Sequence, residues 1–336
     1  MSPALAAVLQ VAVLALVLAL AHRPLGDYMA RTFVSTKDLA VERVSYRVVG
    51  VDPRSEQPWR TYLRGVLAIS LVGIVVVYVL QRTQSVLPYA LGMPPVDPDL
   101  AFNTAVSFVT NTNWQAYSPD VSLGYVVQMV GLAVQNFISA AVGIAVAVAL
   151  VRGFARRRSG TLGNVWVDVT RTIVRILLPL SVVAALVMVL GGVIQNFAGF
   201  TDVSTVAGGS QSIPGGPVAS QEAIKLLGTN GGGIFNANSS HPFENPSSWV
   251  SLFQVALFLL IPFSLPRTFG TMVGDTRQGR TILAVMVGIF TVALAAATIL
   301  EMRGAGTAPS SRAARWRARS SASASRDRRS TPSPPR

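Results

Sequence analysis

Val121–Val151 reads VSLGYVVQMVGLAVQNFISAAVGIAVAVALV, thirty-one consecutive residues without a charge. A bilayer crossing needs about 20 mostly apolar residues. A helix buried in a soluble domain averages only about 10–14 residues, charged ones included. Five further uncharged apolar runs share the chain: Met1–His22, Gly65–Gln81, Ile176–Thr201, Asn245–Pro266 and Thr281–Leu300. Their lengths of 22, 17, 26, 22 and 20 residues each suffice to cross. The fold class expected is therefore an all-α polytopic membrane protein with six transmembrane helices. Composition agrees: 51% of the 336 residues are hydrophobic and 13% charged, against about 25% charged in a soluble domain.

The charges between the runs give an orientation. Segment by segment, the net charge is +3 over 22–64, −2 over 82–120, +5 over 152–175, −2 over 202–244 and +2 over 267–280. Alternation at every crossing is what the positive-inside rule requires of six spans with the N-terminus outside. Residues 82–120 and 202–244 are then outer segments. Nothing basic precedes the first run and basic residues follow it from Arg23, which suits a retained helix rather than a signal peptide. The absence of cysteine excludes disulfides and thiolate metal sites, and His22 and His241 are too few for a histidine-rich centre.

The overall +13 is misleading until it is located. Residues 304–336 hold eight arginines against one aspartate, and from about Ala308 the sequence is nearly all Ser, Arg, Ala and Pro. Such a segment buries too little apolar area to order itself, and its monotony reads as a frameshifted or truncated product. The high pI thus carries no signal for nucleic acid.

The two outer segments are too apolar and too patterned to be plain loops. In the first, Asp97-Pro98-Asp99 starts a short helix with the apolar face Leu100, Ala101, Ala105, Phe108 and Val109. It breaks at Thr110-Asn111-Thr112-Asn113 before Trp114. In the second, Val203–Pro217 reads as irregular loop, with Gly208-Gly209 and Gly215-Gly216 as linker glycines. Ser220-Gln221-Glu222 then caps a short helix, Ala223–Leu227, stopped by Gly228-Thr229-Asn230-Gly231-Gly232-Gly233, since three glycines free the backbone. The Thr-Asn pairs lie 119 residues apart with matching flanks, an internal repeat. Non-helical backbone at membrane depth persists only where it is buried in protein or lines a wet cavity. A short helix followed by an irregular strand is how potassium filters present carbonyl oxygens, and two helix C-termini aimed inward favour a cation. Two re-entrant pore loops are therefore expected. Glu222 and Lys225, three apart, can pair. Asp168 and Arg152, Arg156, Arg157 and Arg158 read as topology signals, and Tyr125 and Trp249 as interfacial residues.

At these residues the sequence resembles the potassium-binding (A) subunit of the Kdp-type potassium-transporting ATPase. The matching strings are VTNTNWQAYS (Val109–Ser118), LLGTNGGGIFNANSSHPFENP (Leu226–Pro246), RRRSGTLGNVWVD (Arg156–Asp168) and FVSTKDLAVERVSYRVVGVDP (Phe33–Pro53). The resemblance implies a partial superfamily-of-potassium-transporters fold, in which span–pore–span units follow an extra N-terminal helix. It implies Thr110, Asn111, Thr112 and Asn113 as one filter strand and Thr229, Asn230, Gly231, Gly232 and Gly233 as another. It further implies a multi-pass protein of the inner (plasma) membrane that binds extracellular potassium and passes it to a P-type ATPase subunit, with a third subunit also essential. Potassium is then the transported ion. The chain has no GxxxxGK[ST] and no phosphorylatable DKTGT-type string, so no nucleotide is expected here and ATP hydrolysis would reside on the partner.

The organisation expected is 1–64 as N-terminal helix and cytoplasmic loop, 65–151 as a first span–pore–span unit and 152–280 as a second with its cytoplasmic flanks. Residues 281–303 would be the first span of an incomplete third unit, and 304–336 a disordered basic tail. The family has four filter strands and this chain shows two, half a coordination shell. Selective, high-affinity transport by the chain alone is therefore not expected. Two other readings remain open at this stage, a free-standing cation channel or transporter and a non-functional truncated fragment.

Overall fold

The computed structural model describes residues 3–156, 160–204, 206, 208–235 and 238–302. Arg157, Arg158 and the basic tail from Arg303 on lie outside the described residues. The chain divides into two compact units, Met1–Arg280 and Thr281–Arg336.

The first unit is helical. It contains α1 (Pro3–Val34), α2 (Ala40–Val49), α3 (Trp59–Arg82) and α4 (Pro98–Val109). A π-helical turn over Val127–Ala133 leads into α5 (Val134–Ala155). Another, over Thr172–Leu177, joins α6 (Val165–Arg171) to α7 (Leu178–Leu190) as one continuous rod. A small antiparallel hairpin, β1 (Thr201–Ser204) with β2 (Ser210–Ile213), precedes α8 (Val218–Leu227) and α9 (Ser248–Val273). The described part of the second unit lies in α10, which spans Thr276–Met302. Six helical stretches among the described residues are long and apolar enough to cross a membrane: Leu5–Val34, Trp59–Arg82, Val127–Ala155, Val165–Leu190, Ser248–Val273 and Thr276–Leu300. The chain is a multi-pass membrane protein.

The number of crossings matches the sequence, but their ends do not. The fourth crossing starts at Val165 and ends at Leu190, eleven residues earlier at both ends than the uncharged run Ile176–Thr201. Cutting at charges fails here because the charges are neutralised inside the fold. Asp168 is buried against Arg152, whose two terminal nitrogens reach its oxygens at 2.5 and 2.8 Å. Arg171 bonds Asp38 at 2.9 Å and Arg175 bonds Glu42 at 2.5 Å. The acidic residues Asp38 and Glu42, between α1 and α3, thus brace α6 and the π turn after it, and Asp168 and Arg152, read from the sequence mainly as topology signals, also have a structural role as a buried pair. Arg156 is likewise paired, with Glu56 at 2.7 Å.

Two helices fix the outer frame. α1 runs alongside α9, meeting it so closely at Gly26 that an added Cβ would lie 2.6 Å from the Arg267 Cβ and 2.7 Å from the Ser264 carbonyl oxygen. Asp27 accepts from Arg267 there at 2.7 and 3.0 Å. Near the other end Gln10 shares a cavity of about 450 Å³ with Ser248, Ser251 and Val255. The two helices therefore run the same way, and the start of α1 lies on the side from which α9 begins.

The core places the short helices. Small side chains on α5 (Ala140, Ala141, Ala145, Ala149) and α8 (Ala219, Ala223) are buried together with Ile176, Ile224 and Ile261. A second cluster holds α4 against α3 through Ala101, Ala105, Phe108 and Val77. Three local expectations change. The stretch 203–217 is not irregular throughout, since it holds the end of β1 and all of β2, which pair. Gly215 is buried packing rather than linker: a Cβ would stand 2.5 Å from Asn196 Oδ1 and 2.7 Å from the Ala198 carbonyl. Tyr125 is also buried, its hydroxyl donating to the Ala198 carbonyl at 2.5 Å, whereas Trp249 is exposed.

Candidate functional site

α4 and α8 end in the same way. In α4 the Thr110 N–H returns to the Val106 carbonyl, Asn111 N–H to Phe108 and Thr112 N–H to Ser107. In α8 Gly228 N–H returns to Ile224, Thr229 to Leu226 and Asn230 to Lys225. Both are Schellman terminations, each closed by a residue in the left-handed region: Asn111 at φ 62° and Thr229 at φ 50°. Asparagine tolerates that conformation, but for β-branched threonine it is an outlier held in place by its surroundings. The hydrogen-bond pattern equates Thr110 with Gly228 and Asn111 with Thr229. The structural repeat is therefore one residue out of step with the Thr-Asn pairing read from the sequence.

The two terminations meet. Asn111 donates its side-chain amide to the carbonyls of Gly228 and Thr229, both at 3.3 Å. The Asn230 amide contacts Asn111 Oδ1, Asn113 Oδ1 at 3.3 Å and Ser139 Oγ at 3.1 Å. Ser139 donates to Asn111 Oδ1 at 2.8 Å, and Asn113 donates to Asn136 Oδ1 at 2.7 Å. The strands are in backbone contact: a Cβ on Gly232 would lie 2.6 Å from the Asn113 carbonyl, and one on Gly231 would lie 3.4 Å from that of Thr112. With φ +65° at Gly232 and +135° at Gly233, only glycine fits this approach without strain.

All nine expected residues are thus drawn to one place, though not equally. Asn113 is fully buried, Asn111, Thr229 and Asn230 are half-buried, and Thr110 and Thr112 are exposed, their hydroxyls 3.1 Å apart. A cavity of about 190 Å³ opens against both strands, lined by Thr112, Asn113, Trp114, Gln115, Gly231 and Gly232 among others. The chain runs from the C-termini of α4 and α8 directly into this lining, and helix C-termini carry negative partial charge. The lining mixes amide and hydroxyl side chains (Thr112, Asn113, Gln115, Asn238) with the aromatic rings of Trp114, Tyr117 and Phe235, and among the described residues no group of three or more His, Asp or Glu could hold a metal ion. Chemically this suits a weakly hydrated monovalent cation better than a transition metal.

Sequence reading missed Asn136 and Ser139, which lie inside the third apolar run and bond Asn111, Asn113 and Asn230 from α5. Their signal was present: a polar pair three apart in an otherwise apolar span needs a partner. A charged cluster lies beneath the second strand, of which only Glu244 was unanticipated. Glu222 and Lys225 pair at 2.5 Å, as their spacing suggested, at 1% and 2% side-chain exposure. Glu244, fully buried, accepts from the N–H groups of Ser239 at 2.8 Å and Phe235 at 3.5 Å.

The family model for the potassium-transporting ATPase A subunit matches residues 12–323. The chain belongs to that family. It is 70% identical over 305 residues to the potassium-transporting ATPase potassium-binding subunit of Clavibacter michiganensis subsp. michiganensis, a match covering 91% of this chain and 55% of that protein. The protein of the same description from Cutibacterium acnes is 61% identical over 297 residues, covering 88% of this chain and 53% of its own length. That of Mycolicibacterium smegmatis is 57% identical over 312 residues, 92% of this chain and 56% of its own. The chain spans about half the length of the curated relatives it matches. The family match reaches residue 323, past Ala308, where the composition changes.

Proposed function

We propose that this chain supplies two of the filter strands of a potassium-binding subunit, with Thr110–Asn113 and Thr229–Gly233 as the oxygen-bearing strands and potassium as the ion. The observation that carries the reading is the direct contact of the two strands through Asn111, Asn230 and Gly232 beside a small cavity. Sequence segments more than a hundred residues apart are not brought into such register by lipid-facing packing alone. In this reading each short helix with its strand is a re-entrant pore loop, flanked by α3 and α5 in one unit (65–151) and by α7 and α9 in the next (152–280). Residues 281–303 begin a third unit, and 304–336 form a basic tail.

The loops face the outside and the paired arginines of α5, α6 and the following π turn face the cytoplasm of the inner membrane, with the N-terminus outside. The relatives' description places potassium binding in a subunit of a transporting ATPase. Accordingly, ATP hydrolysis belongs to a P-type ATPase partner that receives the ion, and a further subunit completes the complex. Two strands provide half a shell, so binding by the chain alone is weak and its preference for potassium small, which is why exchange is read with either salt in saturating excess.

The test is hydrogen–deuterium exchange of the full chain in lipid nanodiscs, in potassium and in sodium at equal ionic strength. Potassium should slow exchange at Asn111–Asn113 and Thr229–Gly233 more than sodium does. Identical exchange in the two salts at both strands would rule the reading out.

A further inference from the structure

The two filter strands are alike in their terminations but not in what lies beneath them. At the position of Ser107 under the first strand, the second has Lys225, because Thr112 N–H bonds Ser107 and Asn230 N–H bonds Lys225 in equivalent fashion. The Lys225 ammonium is fully enclosed. It is held by Glu222 at 2.5 Å and donates to the Gly232 carbonyl at 3.2 Å. A Cβ on Gly233 would stand 3.1 Å from both Lys225 Nζ and Glu244 Oε1, so both side chains lie against the space that residue leaves open. Glu222 in turn accepts from the Ser239 hydroxyl, and Glu244 from the Ser239 amide. By contrast, the Ser107 hydroxyl is buried without a hydrogen-bond partner, and no charge supports the first strand from that position.

We propose that Lys225, clamped by Glu222, is the positioning residue of the second filter strand. By occupying the Gly232 carbonyl it withdraws that oxygen from ion coordination and fixes the remaining oxygens at the spacing that separates potassium from smaller cations. This rests on the filter reading above and adds to it an unequal role for the two strands. A buried lysine needs a reason, since an ammonium in a dry interior is stable only when its hydrogen bonds are filled. Here a carboxylate and a filter carbonyl fill them. A charged donor makes one of the stronger hydrogen bonds available to a backbone carbonyl, which suits a strand whose glycines give it little stiffness of its own.

The experiment compares the wild-type full chain with the double variant Glu222→Gln/Lys225→Met in nanodiscs, by the same exchange measurement. The double variant removes both members of the pair together and leaves Glu244 as the one ionisable group of the cluster, where burial already favours its neutral form, and unchanged exchange in α5 serves as the check that it folds. In the variant, Asn230–Gly233 should exchange about tenfold faster, as expected for loss of one charge-assisted hydrogen bond. The potassium-over-sodium protection of Asn111–Asn113, which Lys225 does not touch, should fall to parity. A role confined to holding α8 together would leave that ion preference intact, and this result would overturn the proposal. So would unchanged exchange at Asn230–Gly233. If the wild-type chain itself shows no ion preference while the variant still loosens the strand, the filter reading fails and the pinning of the strand by Lys225 stands.

Discussion

Arg152 grips Asp168 with both terminal nitrogens, Nη1 to Oδ2 at 2.5 Å and Nη2 to Oδ1 at 2.8 Å, across the junction of α5 and α6. The Tyr62 hydroxyl adds a third bond to Asp168 at 3.1 Å, and the same guanidinium reaches the carbonyls of Leu162 and Phe33 at 3.1 and 3.2 Å. One ion pair thus ties α1, α3, α5 and α6 together. Removing one member of a buried pair leaves the other uncompensated, at a cost of about 3–5 kcal/mol. Asp168→Ala should therefore lower the thermal unfolding midpoint in detergent sharply. The double change Arg152→Leu/Asp168→Leu should recover much of the loss, and a double variant no better than the single one would show that the pair is not what matters.

Gly232 stands where the Thr229–Gly233 segment touches Asn113 of the Thr110–Asn113 segment. Its φ of +65° disfavours any side chain, and a Cβ would come 2.6 Å from the Asn113 carbonyl. Gly232→Ala should cost about 1–3 kcal/mol of stability and push the strands apart. Exchange at Asn113 and Gly233 should rise while α3 and α9 stay protected. An alanine variant with native exchange at both residues would contradict the backbone contact described above.

Much of this architecture was legible in the residues. Six apolar runs fixed the number of crossings, and Thr-Asn at two places pointed to the strands that meet. What escaped reading did so for definite reasons. Arg171 and Arg175 look like loop residues until Asp38 and Glu42 are seen to neutralise them, so the fourth crossing was placed too late. Hydrogen bonding, not residue identity, sets the repeat register, which is why Thr-Asn was matched to Thr-Asn when the structure matches Asn111 to Thr229. Asn136 and Ser139 escaped because a span recognised by its lack of charge hides uncharged polar residues on the face that packs inside the protein.

Thr229 holds φ 50° at the end of α8, where a β-branched residue is strained. Thr229→Gly should raise stability by about 1 kcal/mol by relieving that strain. It should also weaken potassium-dependent protection of the strand, because glycine visits both signs of φ. Measured together, a higher unfolding midpoint with a smaller potassium effect is the expected pair of results. A lower midpoint would mean that the threonine side chain contributes more than its backbone loses.

Glu244 lies in the loop between α8 and α9, and burial pushes its carboxyl up from 4.5 to about 7, with nearby Glu222 acting in the same direction and Lys225 against it. The folded protein therefore keeps this proton over a pH range in which the unfolded chain releases it. Between those two values the native state binds more protons, so stability falls as pH rises. It is greatest below about 4.5 and declines through about 7. Glu244→Gln removes the titration while keeping an oxygen for the Ser239 amide. The unfolding midpoint of the wild type, taken relative to this variant from pH 5 to pH 8, should drop steadily. A difference between the two proteins that stays constant across the range would mean that Glu244 does not titrate within it.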